Sequence, residues 1–392
     1  MSAVLTGHRP LAVVLACLLA LGVGCSTGSR EPSTDTTGAA PPGPALSWSV
    51  VTLPEDAQPS TLTANGSDLL VGAQVSSGRV RPRLFSVAAD ATATAITLSP
   101  QSPYAYLARF LSVSVGQGTI TAVGGAPGGA HSNTRWTSWT GTPSGLRETP
   151  QSFYTFGGYG AGSLVGSAVT DRGPVLAGSW QGAETRLDGA VWLPRGDTWV
   201  RQPSTGTALE STPALLVGLR SVTSSGARLV APGSVVRLEP GHVSQTAAVW
   251  RSTEQGRGWT RIDLPDADAP SEAVAAGCTG PDCLVAGYAH GTYAVWRLTS
   301  EGATRVAGVP PLPTEDGTAI PVPLTRAGHT IAVISAGATG AVLVGGDGGW
   351  TRSDGPAGVP SSTAVVGDWL YVVAQEAGGR AVLWRADVRA LG

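Results

Sequence analysis

Short apolar runs alternate with polar, glycine-rich segments along most of the chain. Apolar runs of a few residues bounded by turn-forming residues predict β-strands. A Val- and Leu-rich run recurs seven times, beginning at Leu69, Ile120, Pro174, Arg228, Cys283, Ile331 and Leu370. After a loop, a second run follows each copy and contains one large apolar anchor: Phe85, Trp139, Trp192, Trp250, Trp296, Val344 or Trp384.

The seven anchors are 40 to 58 residues apart. This spacing suits units of four short antiparallel strands joined by loops of uneven length. Turns such as Asp171-Arg172-Gly173 fit hairpins between such strands. The pattern therefore predicts an all-β fold, a seven-bladed β-propeller. A pair of β-sandwiches or another solenoid is the alternative, but the regular seven-fold count favours the propeller.

The last unit, which begins at Val359, ends after its third strand, since only eight residues follow Trp384. Near the N-terminus, residues 48–54 resemble residues 259–265, which read as an outer strand. We therefore expect residues 46–53 to supply the missing outer strand of the last blade. Closing the ring in this way removes unpaired strand edges.

The N-terminus has the layout of a secretion signal. A polar start containing His8 and Arg9 precedes an apolar run from Leu11 to Val23, which is shorter than the ~20 residues of a membrane span. The following Leu-Gly-Val-Gly-Cys resembles a bacterial lipobox, although Gly22 stands where Leu is usual. The resemblance implies lipidation of Cys25 and anchoring to the outer leaflet of the cell membrane. An ordinary secretory signal is the alternative.

We thus expect three segments: a signal peptide over residues 1–25, a flexible tether over 26–45 and the propeller over 46–392. The tether is rich in Ser, Thr, Gly and Pro and lacks the apolar surface needed to order itself.

Composition agrees with strands and tight turns, since the chain has 54 Gly, 29 Pro and only 13% charged residues. All 25 basic residues are arginine, which we interpret as codon usage in a GC-rich genome. The net charge of −2 offers no strong basic field, so a nucleic-acid partner is not expected.

One hairpin resembles the Asp-box of sialidase-type propellers, also called the BNR repeat. It carries Ser252, Glu254, Gly256 and Trp259, with Glu254 where the family has Asp. The resemblance covers eight residues and implies a structural hairpin, with an acidic side chain bonding turn amides and a Trp packing on the blade. Gly346 to Trp350 is a looser relative.

Cys278 and Cys283 flank a tight turn between two predicted strands. Export places them in an oxidising compartment, so we expect a disulfide. A zinc site would need two more ligands, and the neighbouring sequence offers no such pair.

The sequence contains no Gly-x-Ser-x-Gly elbow, P-loop, His-Glu-x-x-His or EF-hand motif, and it lacks the Arg-Ile-Pro signature of sialidases. No pair of carboxylates stands out as the acid and base of a glycosidase. We predict no catalytic residue, cofactor or metal site, and the histidines of the mature chain are expected to be solvated in loops.

Two predicted inter-blade loops resemble each other and are rich in aromatic residues: residues 100–106 and 150–156. Rigid aromatic rings with polar tips are good material for binding. The ligand-binding candidates are Tyr104, Tyr106, Arg109, Arg135, Tyr154, Phe156, Tyr159 and Arg186, with His131 and His242 nearby. The alternative is that these rings are buried and cover the core.

The leading hypothesis is an envelope-tethered, non-enzymatic binding or assembly platform for a protein or glycan partner. One alternative is a carbohydrate-active hydrolase resembling the Asp-box enzymes, which predicts carboxylates and arginines with perturbed titration at the channel mouth. Another is an assembly factor for a membrane complex, resembling Asp-box propeller factors of photosynthetic membranes.

Overall fold

The computed structural model describes residues 40–129, 132–157, 162–182, 186–346 and 348–391. The predicted signal peptide with Cys25 lies outside the described residues, as do His131 and Tyr159. Within the described ranges, no helix is long and apolar enough to cross a membrane.

In the described ranges, thirty strands form seven sheets, the blades of a β-propeller. The first strand is β1 (Trp48–Val50). Blade 1 then consists of β2 (Gln58–Asn65), β3 (Asp68–Val75), β4 (Arg81–Val87) and β5 (Ala93–Ile96). Blade 2 contains β6 (Leu98–Ser99), β7 (Arg109–Gly116), β8 (Thr119–Gly128), β9 (Asn133–Thr142) and β10 (Gly145–Glu148).

Blades 3 and 4 follow a short helix, α1 (Phe153–Phe156). Blade 3 has β11 (Ser163–Thr170), β12 (Gly173–Gln181), β13 (Leu187–Arg195) and β14 (Thr198–Arg201). Blade 4 has β15 (Leu215–Leu219), β16 (Thr223–Ser225), β17 (Arg228–Glu239), β18 (His242–Ser252) and β19 (Thr260–Asp263).

Three blades complete the chain. Blade 5 has β20 (Ser271–Thr279), β21 (Asp282–Ala289), β22 (Thr292–Leu298) and β23 (Ala303–Arg305). Blade 6 has β24 (Leu324–Arg326), β25 (His329–Ala336), β26 (Thr339–Gly346) and β27 (Gly349–Ala357). Blade 7 has β28 (Val359–Val366), β29 (Trp369–Gln375) and β30 (Ala381–Asp387).

The seven-bladed propeller predicted from the repeat is confirmed, and every recurring run is the second or third strand of a blade. Counted outward from the inner strand, which faces the central channel, neighbouring strands within a blade pair antiparallel except at β6. Blade 2 has an extra outer strand because β6 pairs parallel to β10. In blade 4 the inner strand is divided into β15 and β16, which both pair with β17.

Strand β1 completes blade 7, as the missing fourth strand predicts. It pairs antiparallel with β30, with Val50 opposite Trp384. The preceding residues also dock: Pro42 pairs with Arg352 on the outer strand of blade 6, and the Gly43 amide donates to the Arg352 carbonyl at 2.7 Å. Residues 42–50 therefore bind blades 6 and 7, and this protects both outer edges.

Hydrophobic clusters lie between neighbouring blades, one at each of the seven junctions. Five anchors of the third strands are fully buried in them: Phe85, Trp139, Trp192, Trp250 and Trp296. Because each cluster is shared by two blades, a blade cannot bury its apolar faces alone.

Inner strands carry β-bulges opposite glycines of the second strands. In blade 5 the register shifts between Ala273 and Ala275, and Gly287 lies opposite Ala273. A Cβ on Gly287 would lie 1.9 Å from the Glu272 carbonyl oxygen. The same pairing of bulge and glycine occurs at Gly124 and Gly178. The glycines let the kinked inner strand approach its neighbour closely.

Candidate functional site

The two faces of the propeller carry different connections. Hairpins between second and third strands, and the connections between blades, emerge on one face, which we call the loop face. Hairpins between first and second strands and between third and fourth strands emerge on the other, which we call the turn face. The longer connections lie on the loop face, including residues 306–323 between β23 and β24.

Buried tryptophans hold the connections of the loop face in place. The indole N–H of Trp192 donates to the Thr155 carbonyl at 2.8 Å, in the connection that enters its own blade. The indole N–H of Trp250 likewise donates to the Ala208 carbonyl at 2.7 Å, and that of Trp296 donates to the Pro265 carbonyl at 2.8 Å. One side chain thus fills the core and also satisfies a backbone acceptor of the incoming loop.

A buried carboxylate fixes the first aromatic loop. Glu148 is 2% exposed and accepts hydrogen bonds of 2.6 Å from the amides of Gln101 and Ser102 and from the Ser102 hydroxyl. The Ser102 hydroxyl in turn accepts from the Ala105 amide at 3.2 Å. Since charge-assisted bonds are the strong ones, the loop that carries Tyr104 is rigid.

Four side chains form a continuous surface beside the β8–β9 hairpin, which we call the aromatic–arginine patch: Tyr104, Arg135, Phe153 and Tyr154. A Cβ on Gly128 would lie 2.4 Å from the Tyr104 ring and 2.7 Å from Cγ of Arg135, so both side chains cover this glycine. The Arg135 guanidinium lies 4.3 Å from the centroid of the Phe153 ring. That ring meets Tyr154 edge-to-face at 5.3 Å.

The patch is open to solvent, because Phe153 is 49% and Tyr154 59% exposed. Large exposed rings that cluster on a surface mark binding sites more often than isolated ones do. The structure thus brings together Tyr104, Arg135 and Tyr154 from the predicted set. It adds Phe153, which the sequence analysis left out of the candidates.

The other candidates are distributed as follows. Tyr106 is 47% exposed on the same loop as Tyr104, and Arg109 is exposed at the start of β7. The backbone carbonyl of Arg186 accepts a hydrogen bond from the Gly182 amide, and this bond joins the ends of the β12–β13 connection. His242 is exposed at the start of β18.

Phe156 does not line the binding surface, contrary to the prediction from the sequence. It is 4% exposed and packs edge-to-face on Trp192, with 5.9 Å between the ring centroids. The loop sequence indicates that aromatic rings are present, but the position of Trp192 in the folded blade determines which ring turns inward.

The central channel encloses about 720 Å³ and is lined by the inner strands. Hydroxyl groups join neighbouring inner strands: Ser60 donates to the Phe110 carbonyl at 2.9 Å and Ser224 to the Val169 carbonyl at 2.7 Å. Arg220 is the one charged residue among the described residues that line this channel.

Arg220 stands over a buried carboxylate on the loop-face side of the channel. Its Nε lies 3.3 Å from Oε2 of Glu272, which is 5% exposed and also accepts from the Ser234 hydroxyl at 3.1 Å. Burial raises the pKa of Glu272 in spite of Arg220 and Ser234, because desolvation penalises the charged carboxylate. Burial, together with the charges of Glu272 and Asp316, raises the pKa of Tyr288 to about 12.

The turn face carries the disulfide between Cys278 and Cys283, which lie opposite each other on β20 and β21. It also carries the hairpin between β18 and β19. There the Ser252 hydroxyl accepts from the amides of Glu254 and Gly256 at 3.3 and 3.0 Å, and the Trp259 indole donates to the Gly256 carbonyl at 3.0 Å. The turn amides therefore donate hydrogen bonds to the Ser252 hydroxyl, and not to the Glu254 carboxylate as the resemblance to an Asp-box implies.

Across the described residues, no group of three or more His, Cys, Asp or Glu side chains has an arrangement that would hold a metal ion.

Known structures of similar fold are propellers. The chain is similar to YCF48 bound to D1 peptide, with 15% identity and a TM-score of 0.53 over 89% of this chain and 99% of that one. It is also similar to the β-propeller domain of the Trilobed protease from Pyrococcus furiosus, with 8% identity and a TM-score of 0.53 over 84% and 95%.

A third similar structure is the Hadza microbial sialidase Hz136, with 10% identity and a TM-score of 0.50 over 84% of this chain and 75% of that one. No family model matches the sequence, and no curated protein does. At these identities the similarity shows the fold alone.

Proposed function

We propose that this chain is an exported, lipid-anchored binding module of the bacterial envelope, and that the aromatic–arginine patch receives its partner. The observation that carries this proposal is the exposure of Phe153 and Tyr154 on a connection that Trp192 holds in place. Rigid aromatic groups lose little conformational entropy on binding, so they are effective anchors of an interface. The membrane is reached through Cys25, and the Ser252–Trp259 hairpin acts as an Asp-box-like structural element.

The role of the ring in this proposal is that of a platform. Interlocked blades and hydroxyl-bonded inner strands keep the loops of the loop face in fixed positions. Similarity to a propeller that holds a peptide agrees with this role by analogy of fold.

The test is affinity capture from native envelope with the full chain and two double variants. Phe153→Ala with Tyr154→Ala removes the two exposed rings. Leu238→Ala with Val243→Ala is the matched control, because these side chains are 38% and 66% exposed on the β17–β18 hairpin.

We expect the ring variant to bind the captured partner more than about 10-fold more weakly, since hot-spot truncations cost ~2 kcal/mol each. The control variant keeps wild-type affinity. Equal capture by all three proteins, with unchanged melting temperatures, would contradict the proposal.

A second candidate function, a carbohydrate-active hydrolase, is favoured by Glu272 and Arg220 near the channel mouth, because a buried carboxylate of raised pKa is a candidate general acid. It predicts turnover of chromogenic glycosides that Glu272→Gln abolishes. An assembly-factor role predicts instead that a membrane complex copurifies with the chain.

A further inference from the structure

The guanidinium of Arg135 lies with one face over a ring, and its Nη2 lies beside Gly129. It lies over the Phe153 ring at 4.3 Å, and the Arg135 stem packs beside Tyr104 above Gly128. Stacking on a ring uses the π-face of a guanidinium, whereas its five N–H donors point outward in the plane. The contacts that position Arg135 therefore leave its donors available.

No carboxylate of the described residues forms an ion pair with Arg135, and it donates no hydrogen bond to an acceptor in those ranges. Another stacked arginine differs in this respect. Arg385 lies 4.2 Å from the Trp369 ring but donates to the Ala89 carbonyl at 2.9 Å. Arg135 is thus pre-positioned by stacking while its hydrogen bonds remain to be made.

The rings next to Arg135 favour a side chain over a sugar. Phe153 and Tyr154 meet at an interplanar angle of 74°, and one face of Phe153 is already covered by Arg135. The face of Phe153 that Arg135 covers is therefore closed to a sugar, whereas the exposed parts of both rings can contact an apolar side chain. A polypeptide places apolar and acidic side chains a few ångströms apart.

Resting on the proposed function of this patch, we propose that Arg135 binds the carboxylate of an acidic residue in an extended polypeptide partner, whose adjacent apolar side chain packs against Phe153 and Tyr154. A planar guanidinium binds a carboxylate through two parallel hydrogen bonds, which fixes both the position and the orientation of the partner. The exposed Arg109 adds positive charge on the same face.

The probes are three acetylated, amidated hexapeptides that differ in one property. Each alternates Phe with a second residue, which is Glu, Gln or Lys. Binding to the full chain is measured by calorimetry at about 50 and about 300 mM NaCl, because exposed charge pairs weaken with salt.

We expect the Glu peptide to bind about 10-fold or more tightly than the Gln peptide at low salt, and the Lys peptide to bind most weakly. Arg135→Gln is expected to remove the preference for the Glu peptide over the Gln peptide. Arg135→Lys is expected to keep only part of this preference, since an ammonium lacks the planar pair of donors that a guanidinium presents to a carboxylate. Arg201→Gln is the matched control, because Arg201 also stacks on a ring, 5.4 Å from the centroid of Trp180, and is expected to leave the preference unchanged.

Equal affinity of the wild type for the Glu and Gln peptides would overturn the carboxylate inference while leaving the patch as a binding surface. A preference that survives Arg135→Gln would do the same. Binding of a uronic-acid oligosaccharide that depends on Arg135, without binding of any hexapeptide, would overturn the polypeptide class. Binding that persists in the Phe153→Ala, Tyr154→Ala protein would instead refute the proposed function itself.

Discussion

The indole N–H of Trp48 donates to the carbonyl of Asp354 at 3.0 Å, across 306 positions of sequence. Trp48 belongs to the strand that completes blade 7, and Asp354 lies on the outer strand of blade 6. Val51 and Leu53, which follow, are 3% and 5% exposed in the cluster between blades 7 and 1. The N-terminal segment therefore joins three blades.

Deleting residues 46–54 is expected to lower the melting temperature by about 10 °C or more. The deletion removes the buried side chains of Val51 and Leu53, each contributing ~2 kcal/mol, and exposes the edge of β30. Differential scanning calorimetry measures the change. Deletion of residues 26–39 is the control and is expected to leave the melting temperature unchanged. Equal melting temperatures of the two deletion proteins would refute closure of the ring by β1.

Replacing both Cys278 and Cys283 by Ser is expected to cost ~2 kcal/mol of unfolding free energy, because the cross-link closes a short loop in the unfolded chain. Urea denaturation of the oxidised wild type and the double variant measures the difference. Reduction of the wild type provides the matched comparison and is expected to reproduce the loss. If neither reduction nor substitution shifts the midpoint, the bridge contributes nothing to stability.

Gly287→Ala is expected to destabilise the chain by ~3 kcal/mol, because the added Cβ would lie 1.9 Å from a backbone carbonyl that has little room to move. Gly378→Ala is the matched control, since a Cβ there meets nothing within 4 Å. Urea midpoints of the two variants are compared with the wild type. A Gly287→Ala midpoint as high as that of the control would show that the bulge does not require glycine.

Glu272 is expected to make stability depend on pH. Its pKa is raised by burial, so the folded chain holds the Glu272 proton more tightly than the unfolded chain does. Its contribution to stability therefore falls as pH rises above the unfolded value of about 4.3 toward the raised folded value.

Urea unfolding gives the free energy of unfolding of the wild type and of Glu272→Gln between about pH 4 and about pH 7. The contribution of Glu272 is the difference between the two slopes of this free energy against pH. The wild type is expected to lose more stability than the variant over this interval. Parallel curves would mean that Glu272 titrates alike in the folded and unfolded chains.

The blades could be predicted because periodic anchors such as Trp192 and Trp250 are a local signal that repeats. Strand β1 was predictable because blade 7 lacked its fourth strand. The division of the inner strand of blade 4 into β15 and β16 had no such repeated signal in the sequence.

The candidate site was predictable only in part. Its loops were identified from aromatic content, yet the burial of Phe156 and exposure of Phe153 follow from the position of Trp192 in three dimensions. The pairing of Arg220 with Glu272 joins blades 4 and 5, and no motif in the sequence marks it.

Site-specific photocrosslinking in native envelope tests whether the aromatic–arginine patch receives the partner. A benzophenone amino acid is placed at Tyr154 of the patch or, as a control, at Thr253 in the β18–β19 hairpin on the turn face. We expect one discrete crosslinked partner from position 154 that unlabelled wild-type chain competes away, and no such product from position 253. The same product from both positions, or a product from position 253 alone, would contradict this expectation.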